Sequence, residues 1–325
     1  MTKILGLGNA LVDVMTQLND DSFLAQHELP KGSMQLVDLQ TSGNILKNAA
    51  NLPQSLSSGG SAANTIHGIA CMGAATGYIG SVGNDSYGEF FRKDMAAKNI
   101  EPKLFVSNTE TGRAIALISP DSERTFATFL GAAVEMTPEA LTDNLFAGYD
   151  ILHTEGYLVF NNSLILEALV KAKKNGLKVS LDMASFNVVE ANLDFLKTLI
   201  KDYVDIVFAN EEEAKALTGM EPEQALDEIS KFCEIAVVKI GAKGSLIKSG
   251  DYKVAVSAIN AVCKDTTGAG DLFASGFLYG LSNNWDLKKC GNTGSILAGN
   301  VIEVIGAKMP EERWERIYKM VNELK

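Results

Sequence analysis

The sequence predicts an α/β fold with a doubly wound, mainly parallel β-sheet and a small β-sheet lid formed by two insertions. Short apolar runs of strand length alternate with amphipathic helical stretches through most of the 325 residues. This order is typical of a parallel sheet with helices on both faces. Two stretches in the N-terminal half break the order with period-two patterns, which indicate the lid.

The strands and helices of the core follow one another in chain order. Strands are predicted over residues 3–8, 75–83, 150–158, 178–183, 204–210 and 234–241, and helices over 61–73, 87–99 and 163–176. The last of these helices ends at a glycine, as helices commonly do. Residues 310–325 predict an amphipathic helix with a proline at its start. In a sheet of this kind, ligands bind at the carboxyl ends of the strands.

Residues 14–51 and 104–130 carry the patterns that predict the lid. Polar and apolar residues alternate over 34–39, 113–119 and 124–130, which is typical of half-exposed antiparallel strands. Because both stretches interrupt the α/β order, we expect them to form one small sheet. The predicted core then comprises residues 1–13, 52–103 and 131–325.

Composition indicates the class of protein and its partners. The formal net charge is −11 and the sequence pI is about 4.9, which disfavours binding to nucleic acid or to an anionic membrane. No apolar run reaches the roughly 18 residues of a membrane span, and the N-terminus lacks the features of a signal peptide. We expect a cytoplasmic protein, with monomer and homodimer both open.

Cysteine and histidine spacing indicates neither a disulfide framework nor a metal site. The four cysteines are far apart, so reduced, buried thiols are expected. The three histidines share no metal-ligand spacing, and isolated structural roles are expected for them.

Two common nucleotide-binding motifs are absent or incomplete. No Gly-Lys-Ser/Thr follows a GxxxxG, so the sequence has no P-loop. The segment GLGNAL at 6–11 begins like a dinucleotide-binding fingerprint, but Leu11 stands where its last glycine belongs. A nicotinamide dehydrogenase is therefore only an alternative.

The segment DTTGAGD at 265–271 predicts an anion-binding helix N-terminus beside a carboxylate. Gly268, Ala269 and Gly270 allow close approach of the backbone, and their N–H groups are suited to hold charge on a transferring phosphoryl group. Asp271 falls in the first helical turn, where the helix dipole keeps it ionised and able to accept a proton from an attacking hydroxyl. An Asp that merely supports the helix N-terminus would not explain the run of small residues.

The segment SSGGSAAN at 57–64 is a second glycine-rich site. Gly59 and Gly60 let the backbone approach a ligand, while Ser61 and Asn64 offer hydroxyl and amide partners. A strand-to-helix turn with Ser61 as N-cap is the alternative.

The segment GNALVD at 8–13 is the third. Asn9 and Asp13 flank the end of the first predicted strand and suit the recognition of vicinal hydroxyls, as on a sugar. A strand-terminating turn is the alternative.

These three segments together resemble the ribokinase-like (PfkB) carbohydrate kinase family, and the resemblance covers essentially the whole chain. It implies ATP-dependent phosphorylation of a hydroxymethyl group on a sugar or nucleoside. By this resemblance Asp271 is the catalytic base and residues 268–270 form the anion hole. The implied sugar contacts are Asn9, Asp13, Gly59, Gly60, Ser61 and Asn64.

The resemblance also implies nucleotide and metal contacts. NEEE at 210–213 implies that Asn210 and Glu213 lie near Mg²⁺ and its waters, although alone the segment is typical of an acidic helix start. Asp265 is a candidate for a monovalent-cation (K⁺) site, with a loop-holding role equally open. The implied contacts to ATP are Lys239, Gly241, Gly244 and Thr266.

Within the family, GNALVD, KGSMQLVD (31–38) and ERTFATFLGAA (123–133) are similar to the adenosine kinase-like branch. The last implies a lid strand that carries Arg124 over the transferring phosphate, where a planar, always charged guanidinium is suited. Gln35, Phe126 and Phe129 are candidates to line the acceptor pocket, or simply to pack in the lid. The expected acceptor is adenosine or a related nucleoside at its 5′ oxygen, with a free sugar such as ribose or a ketohexose next. A non-catalytic sugar-binding regulator is the alternative from another class.

Overall fold

The computed structural model describes residues 2–121 and 123–324. Met1, Ser122 and Lys325, which fall in the predicted core, lid and C-terminal helix, lie outside the described residues. The strands are β1 (Ile4–Leu7), β2 (Leu11–Gln17), β3 (Met34–Leu36), β4 (Gln54–Gly59), β5 (Thr76–Gly83), β6 (Ile100–Ser107), β7 (Gly112–Ile118), β8 (Arg124–Phe129), β9 (Ile151–Glu155), β10 (Lys178–Asp182), β11 (Ile206–Asn210), β12 (Ile235–Lys239), β13 (Ser245–Ser249) and β14 (Tyr252–Val256). The helices are α1 (Ser22–Gln26), α2 (Leu39–Asn48), α3 (Ser61–Cys71), α4 (Ser86–Ala97), α5 (Asp143–Phe146), α6 (Asn162–Lys174), α7 (Phe186–Ala191), α8 (Leu193–Tyr203), α9 (Glu211–Thr218), α10 (Pro222–Ile229), α11 (Ala269–Ser282), α12 (Leu287–Val301) and α13 (Glu311–Asn322).

The large sheet has the strand order β14-β13-β12-β11-β10-β9-β1-β5-β6. The strands from β12 to β6 are parallel, with Ile4 of β1 opposite Thr76 of β5 and Ile151 of β9. At one edge β13 and β14 pair antiparallel. Buried apolar clusters cover both faces, which explains why the strands are almost entirely apolar. The predicted doubly wound, mainly parallel sheet is confirmed.

The small sheet has the order β3-β8-β7-β2-β4. Its β2–β4 and β7–β8 pairs are antiparallel, but β2–β7 and β3–β8 are parallel, so the prediction of antiparallel pairing holds only in part. The prediction that its strands are half-exposed is wrong for β7, which is buried throughout. As the central strand, β7 has a neighbour on each side, and α2 packs against it.

The strand bounds also differ from the predicted limits of core and lid. Residues 11–13 and 54–59, expected in the core, pair within the small sheet, and residues 104–107, expected in the lid, pair with β5 in the large sheet. The segment GLGNAL is not a dinucleotide fingerprint, because β1 is followed by strand β2 rather than by a helix.

Two helices that pack closely bring distant segments of the chain together. A Cβ on Gly68 of α3 would lie 2.4 Å from Oγ of Ser275 in α11, and one on Gly276 of α11 would lie 2.6 Å from the carbonyl oxygen of Thr293 in α12. Because these positions lack side chains, α11 lies tightly between α3 and α12. The start of α11 therefore lies next to the start of α3.

Other composition-based expectations meet mixed outcomes. Within the described residues, no helix is both long and apolar enough to cross a membrane. The cysteines are free thiols, but Cys263 is exposed, so the expectation that all four are buried is wrong. Cys263 lies in the loop before α11, where no element of the core covers it.

Candidate active site

A cleft of about 690 Å³ lies at the carboxyl ends of the large sheet, between that sheet and the small one. Asp182, Asn210 and Lys239, the last residues of β10, β11 and β12, line one part of it. The small sheet contributes Asp13 and Phe126, and the start of α11 completes the lining. This is the expected ligand position in a parallel α/β sheet.

Asp271 is held at the start of α11 by two side chains of α3. Its carboxylate accepts a hydrogen bond from Oγ of Ser61 at 2.7 Å and from Nδ2 of Asn64 at 3.0 Å. Burial raises the pKa of Asp271 to about 6, although both hydrogen bonds act to lower it. The carboxylate is half-buried, lines the cleft and is mostly ionised at pH 7. It therefore has the position and charge of a general base.

The backbone amides before Asp271 form a partly free set of donors. Gly268 is the N-cap of α11 in the left-handed conformation, at φ +76°. The N–H of Ala269 donates to the carbonyl of Thr266 at 3.1 Å, so this predicted member of the anion hole is already used in a turn. The N–H groups of Gly268 and Gly270 have no acceptor within residues 2–121 and 123–324. These two amides are the donors available to an anion.

Ser61 and Asn64 line the cleft and hold Asp271, while their predicted contact with a sugar stays a prediction. The N-cap of α3 is Gly60, so the alternative with Ser61 as N-cap is wrong. Gly60 lies at φ +98°, and a Cβ there would lie 2.1 Å from the carbonyl oxygen of Asn9. Only glycine fits this turn.

Asn9 is a structural residue rather than a lining residue of the cleft. Its backbone N–H and its Nδ2 both donate to Oε1 of Glu155, at 3.0 and 2.9 Å. The other oxygen of Glu155 accepts the N–H of Ala62 at 2.8 Å, so this carboxylate joins the end of β1 to the start of α3. Burial raises the pKa of Glu155 to about 7. The Nδ2 of Asn9 is used by Glu155, whereas its Oδ1 has no partner among the described residues. Its contact with the sugar stays a prediction.

Asp13 lies where a sugar contact was predicted. It lines the cleft from β2, and no hydrogen bond to its carboxylate occurs among the described residues. A Cβ on Gly59 would lie 2.2 Å from Oδ1 of Asp13, so Gly59 provides the space for this carboxylate. Burial raises the pKa of Asp13 to about 7. A free carboxylate here is suited to accept hydrogen bonds from hydroxyl groups.

Lys239 places a positive charge beside the free amides. Its Nζ donates to Oδ2 of Asp182 at 2.9 Å, and a Cβ on Gly270 would lie 3.0 Å from the same Nζ. Burial acts to lower the pKa of Lys239, but Asp182, Glu213 and Asp271 outweigh it and hold the pKa above its usual value. The ammonium group is thus charged at neutral pH and suited to a phosphate.

Asn210 and Glu213 form a capping box at the start of α9. The N–H and Nδ2 of Asn210 donate to the two oxygens of Glu213 at 2.7 Å each, and the N–H of Glu213 donates to Oδ1 of Asn210 at 2.8 Å. The alternative that the sequence left open, an acidic helix start, therefore describes these contacts. Burial and the nearby Asp182 raise the pKa of Glu213 to about 7.

The charges near Glu213 fit a divalent cation held through water. Asp182, Glu213 and Asp271 lie around the ammonium of Lys239, and Asp271 also interacts with that of Lys308. Among the described residues, the carboxylates here outnumber the ammonium groups. No three His, Cys, Asp or Glu side chains in the described part of the chain are grouped as direct metal ligands. Carboxylates that are not grouped as direct ligands suit Mg²⁺, which usually keeps several of its waters.

Gly241, Gly244 and Thr266 line the same cleft. Gly244 lies at φ +104°, and a Cβ there would lie 1.9 Å from the carbonyl oxygen of Val256. Gly241 lies at φ +56° in the turn before it. Because Gly244 has no side chain, the turn between β12 and β13 packs directly against the end of β14. Backbone atoms of this turn therefore form one side of the cleft.

Comparison with known proteins assigns this site to a family. The model of the pfkB family carbohydrate kinases matches residues 44–314. The chain belongs to this family. Its members are phosphotransferases that act on hydroxyl groups, and the protein is a sugar or nucleoside kinase rather than a dehydrogenase or a non-catalytic regulator.

Three relatives of this pfkB-family kinase cover nearly its whole length. A probable sugar kinase from Rhizobium etli is 33% identical over 98% of this chain and 99% of its own, with a TM-score of 0.87. Adenosine kinase from Sinorhizobium meliloti has the same identity and coverage, with a TM-score of 0.86. Adenosine kinase from Saccharomyces cerevisiae is 28% identical over 94% of this chain and 96% of its own.

Arg124 of this pfkB-family kinase contacts residues 265–268, the loop before α11, which we call the anion loop. Its guanidinium forms an ion pair with Asp265 and donates to Oγ1 of Thr267 at 2.7 Å. Asp265 also accepts the N–H groups of Thr267 at 2.9 Å and Gly306 at 2.6 Å. The loop-holding role of Asp265 is therefore the one the contacts support, and Arg124 ties strand β8 to the loop. The position of Arg124 over a transferring phosphate stays a prediction.

The remaining lid candidates separate by the face of their strand. Phe126 lies on the same face of β8 as Arg124 and lines the cleft. Phe129 is an odd number of residues away, on the opposite face, where its ring centroid lies 5.3 Å from the guanidinium carbon of Arg113. Gln35 is exposed on β3, donates to Ser33 at 3.3 Å and lies outside the cleft lining. Of the three, only Phe126 is placed to meet an acceptor.

Sequence reasoning missed Glu155, Asp182 and Lys308. Each is a single charged residue in an apolar stretch, with no neighbouring motif to single it out. An available signal was the cost of burying a charge: Glu155 lies within the strand predicted over 150–158, and in a buried strand only a paired or functional carboxylate is expected.

Proposed function

We propose that this kinase transfers the γ-phosphoryl group of ATP to the 5′-hydroxyl of a nucleoside, with Asp271 as general base. The observation that carries the proposal is the position of the Asp271 carboxylate. It is fixed by Ser61 and Asn64 and lies beside the free amides of Gly268 and Gly270. A base and an anion site at one helix N-terminus are what phosphoryl transfer to an alcohol requires.

The chemistry assigns one task to each group. Asp271 takes the proton of the acceptor's primary hydroxyl, and the oxygen of that hydroxyl forms a bond to the γ-phosphorus. The bond from the γ-phosphorus to the β–γ bridging oxygen breaks, and ADP leaves. The amides of Gly268 and Gly270, with the ammonium of Lys239, hold the charge that moves onto the transferring group. Mg²⁺, when bound near Glu213, would neutralise charge on the phosphates.

The acceptor lies, in this proposal, against Asp13 and beneath Phe126. The carboxylate of Asp13 accepts hydrogen bonds from hydroxyl groups of the acceptor, which both nucleosides and free sugars have. Two of the full-length relatives are named adenosine kinases, which supports a nucleoside. The equally similar probable sugar kinase supports a free sugar as the second candidate. Closure of the small sheet over the cleft would exclude water and limit wasteful ATP hydrolysis.

The acceptor is tested with a panel of nucleosides, pentoses and hexoses, read by coupled release of ADP in the presence of Mg²⁺. Adenosine is expected to give the highest kcat/KM. A higher value for ribose or a ketohexose would select the second candidate. Release of ADP with no member of the panel would reject both acceptor classes.

The base is tested with Asp271→Asn, which keeps the size of the side chain. The variant is expected to bind ATP and acceptor with near-normal affinity and to lose about 10²- to 10⁴-fold in kcat, the usual contribution of a general base. Asp251→Asn, at an exposed turn, is the matched control and should keep full activity. Near-normal kcat in Asp271→Asn would show that another group takes the proton.

A further inference from the structure

Lys308 lies on a loop that is fixed against the anion loop. This loop joins α12 to α13, and the N–H of Gly306 donates to Oδ2 of Asp265 at 2.6 Å. The Cβ of Ala307 lies 2.6 Å from the place where a Cβ on Gly268 would be, so the two segments touch at the N-cap of α11. The backbone of Lys308 is therefore held in place next to the candidate active site.

The ammonium group of Lys308 is buried and has no direct partner. Its Nζ is inaccessible to solvent and makes no hydrogen bond with any described residue. Burial lowers the pKa of Lys308 to about 8. A buried charge without a hydrogen-bond partner is costly, so a structural role alone does not account for it. The ammonium group of Lys308 acts electrostatically on the carboxylates around it.

Several ionisable groups from different elements share the space around this ammonium. They are Asp13 of β2, Cys71 and His67 of α3, Asp94 of α4, Lys98 at the C-cap of α4, and Asp271 of α11. Asp94 is already used, because its carboxylate accepts the N–H of Ser58 at 3.0 Å. Asp271 has its two hydrogen bonds from α3. The attraction of Asp94 on this ammonium is the largest and that of Asp13 is the second. Of the three carboxylates, Asp13 is the one that accepts no hydrogen bond from the described residues.

The charge of Lys308 lowers the pKa of Asp13 and so increases the ionised fraction of Asp13 near neutral pH. Burial raises the pKa of Asp13 to about 7, Lys308 lowers it, and Asp271 raises it further. Removal of the ammonium therefore moves the pKa of Asp13 upward and leaves the carboxyl group protonated at pH 7. A protonated carboxyl group has lost acceptor capacity toward the hydroxyl groups of a ligand.

We infer that Lys308 is a positioning residue for the acceptor, whose buried ammonium serves as the counter-charge that keeps Asp13 an ionised hydrogen-bond acceptor. This inference rests on the proposed function, because it requires Asp13 to contact the acceptor. Lys308 itself lies outside the cleft lining and acts through Asp13.

The kinetic test compares wild type with Lys308→Met between pH 6 and pH 9. The KM for the acceptor is expected to rise about tenfold at pH 6.5 and to approach the wild-type value near pH 9, equivalent to a displacement of about one pH unit. The KM for ATP should change little. Lys308→Arg, which retains the charge, should restore most of the loss, and Lys319→Met, at an exposed position on α13, is the matched control. An equal rise in KM at every pH would overturn the inference.

A second measurement does not depend on turnover or on full stability. The carboxyl ¹³C resonance of Asp13, assigned by its absence in Asp13→Asn, is titrated in wild type and in Lys308→Met. The midpoint is expected to be higher in the variant, and an unchanged midpoint would overturn the inference. If no acceptor supports release of ADP, the proposed function fails, while this titration still decides whether Lys308 is the counter-charge of Asp13.

Discussion

The hydrogen bond from Ser61 to Asp271 predicts how activity depends on pH. In the wild type the pKa of Asp271 is raised to about 6 by burial, while the Ser61 hydroxyl, 2.7 Å from Oδ1, acts to lower it. Ser61→Ala removes this donor and so destabilises the ionised carboxylate. The pKa of Asp271 must then rise, and the acid limb of the kcat profile must move to higher pH.

The size of the effect follows from the strength of the hydrogen bond. A hydrogen bond to a charged group contributes about 1.5–3 kcal/mol, and the lower value equals about one pKa unit. With a pKa near 7 instead of 6, the ionised fraction of Asp271 falls about fivefold at pH 6, about twofold at pH 7 and very little at pH 8.5. The loss of kcat should follow these fractions.

The assay is kcat at saturating ATP and acceptor from pH 5 to pH 9, for wild type and Ser61→Ala. Ser55→Ala, an exposed serine on β4, is the matched control and should reproduce the wild-type profile. If Ser61→Ala loses the same fraction of kcat at pH 6 and at pH 8.5, Ser61 does not act through the ionisation of Asp271, and the reasoning is refuted.

Two further predictions concern buried carboxylates and are measured by urea unfolding. Glu155→Gln should lower the free energy of unfolding by about 1–3 kcal/mol. The NH2 group of the new glutamine would point at the N–H donors of Asn9 or Ala62, where Glu155 has acceptor oxygens. An unchanged free energy of unfolding would show that Glu155 is protonated and donates in the native protein. Arg124→Met should cost about 1.5–3 kcal/mol, because it removes the charged partner of Asp265, whose carboxylate keeps only the N–H groups of Thr267 and Gly306. Adding Asp265→Asn should recover part of that loss, and a purely additive double variant would contradict the pairing.

The sequence predicted best what short segments encode by themselves. The alternation of strands and helices predicted the large sheet, and the run Gly268–Gly270 located the start of α11, which lines the cleft. That its amides bind an anion stays a prediction. The structure modifies this prediction at Ala269, whose amide is used in the turn that the glycines make possible. Local composition thus located the loop without telling which amides remain free.

Pairings between distant segments were not predictable from one sequence. Ser61, Asn64 and Asn9 were predicted to contact a sugar because polar side chains after glycines are suited to ligands. Each binds a carboxylate far along the chain, such as Glu155, which is separated from Asn9 by 146 positions. Nothing in the sequence says which helix packs on which. The tight contact between α3 and α11 decides these partners.

Three of the carboxylates that line the cleft, those of Asp13, Glu213 and Asp271, have raised pKa values for one common reason. Burial raises the pKa of Asp13, Glu213 and Asp271 to between about 6 and about 7, while the cations near them are Lys239 and Lys308. In the proposed function, Asp13 meets the acceptor, Glu213 faces the metal and Asp271 takes the proton. Acidification should therefore affect the acceptor KM, the Mg²⁺ dependence and kcat in the same pH range. Variants that move one pKa at a time separate them. Lys308 acts on Asp13 and Ser61 acts on Asp271, whereas Asp182 raises the pKa of both Glu213 and Asp271 and so cannot separate those two.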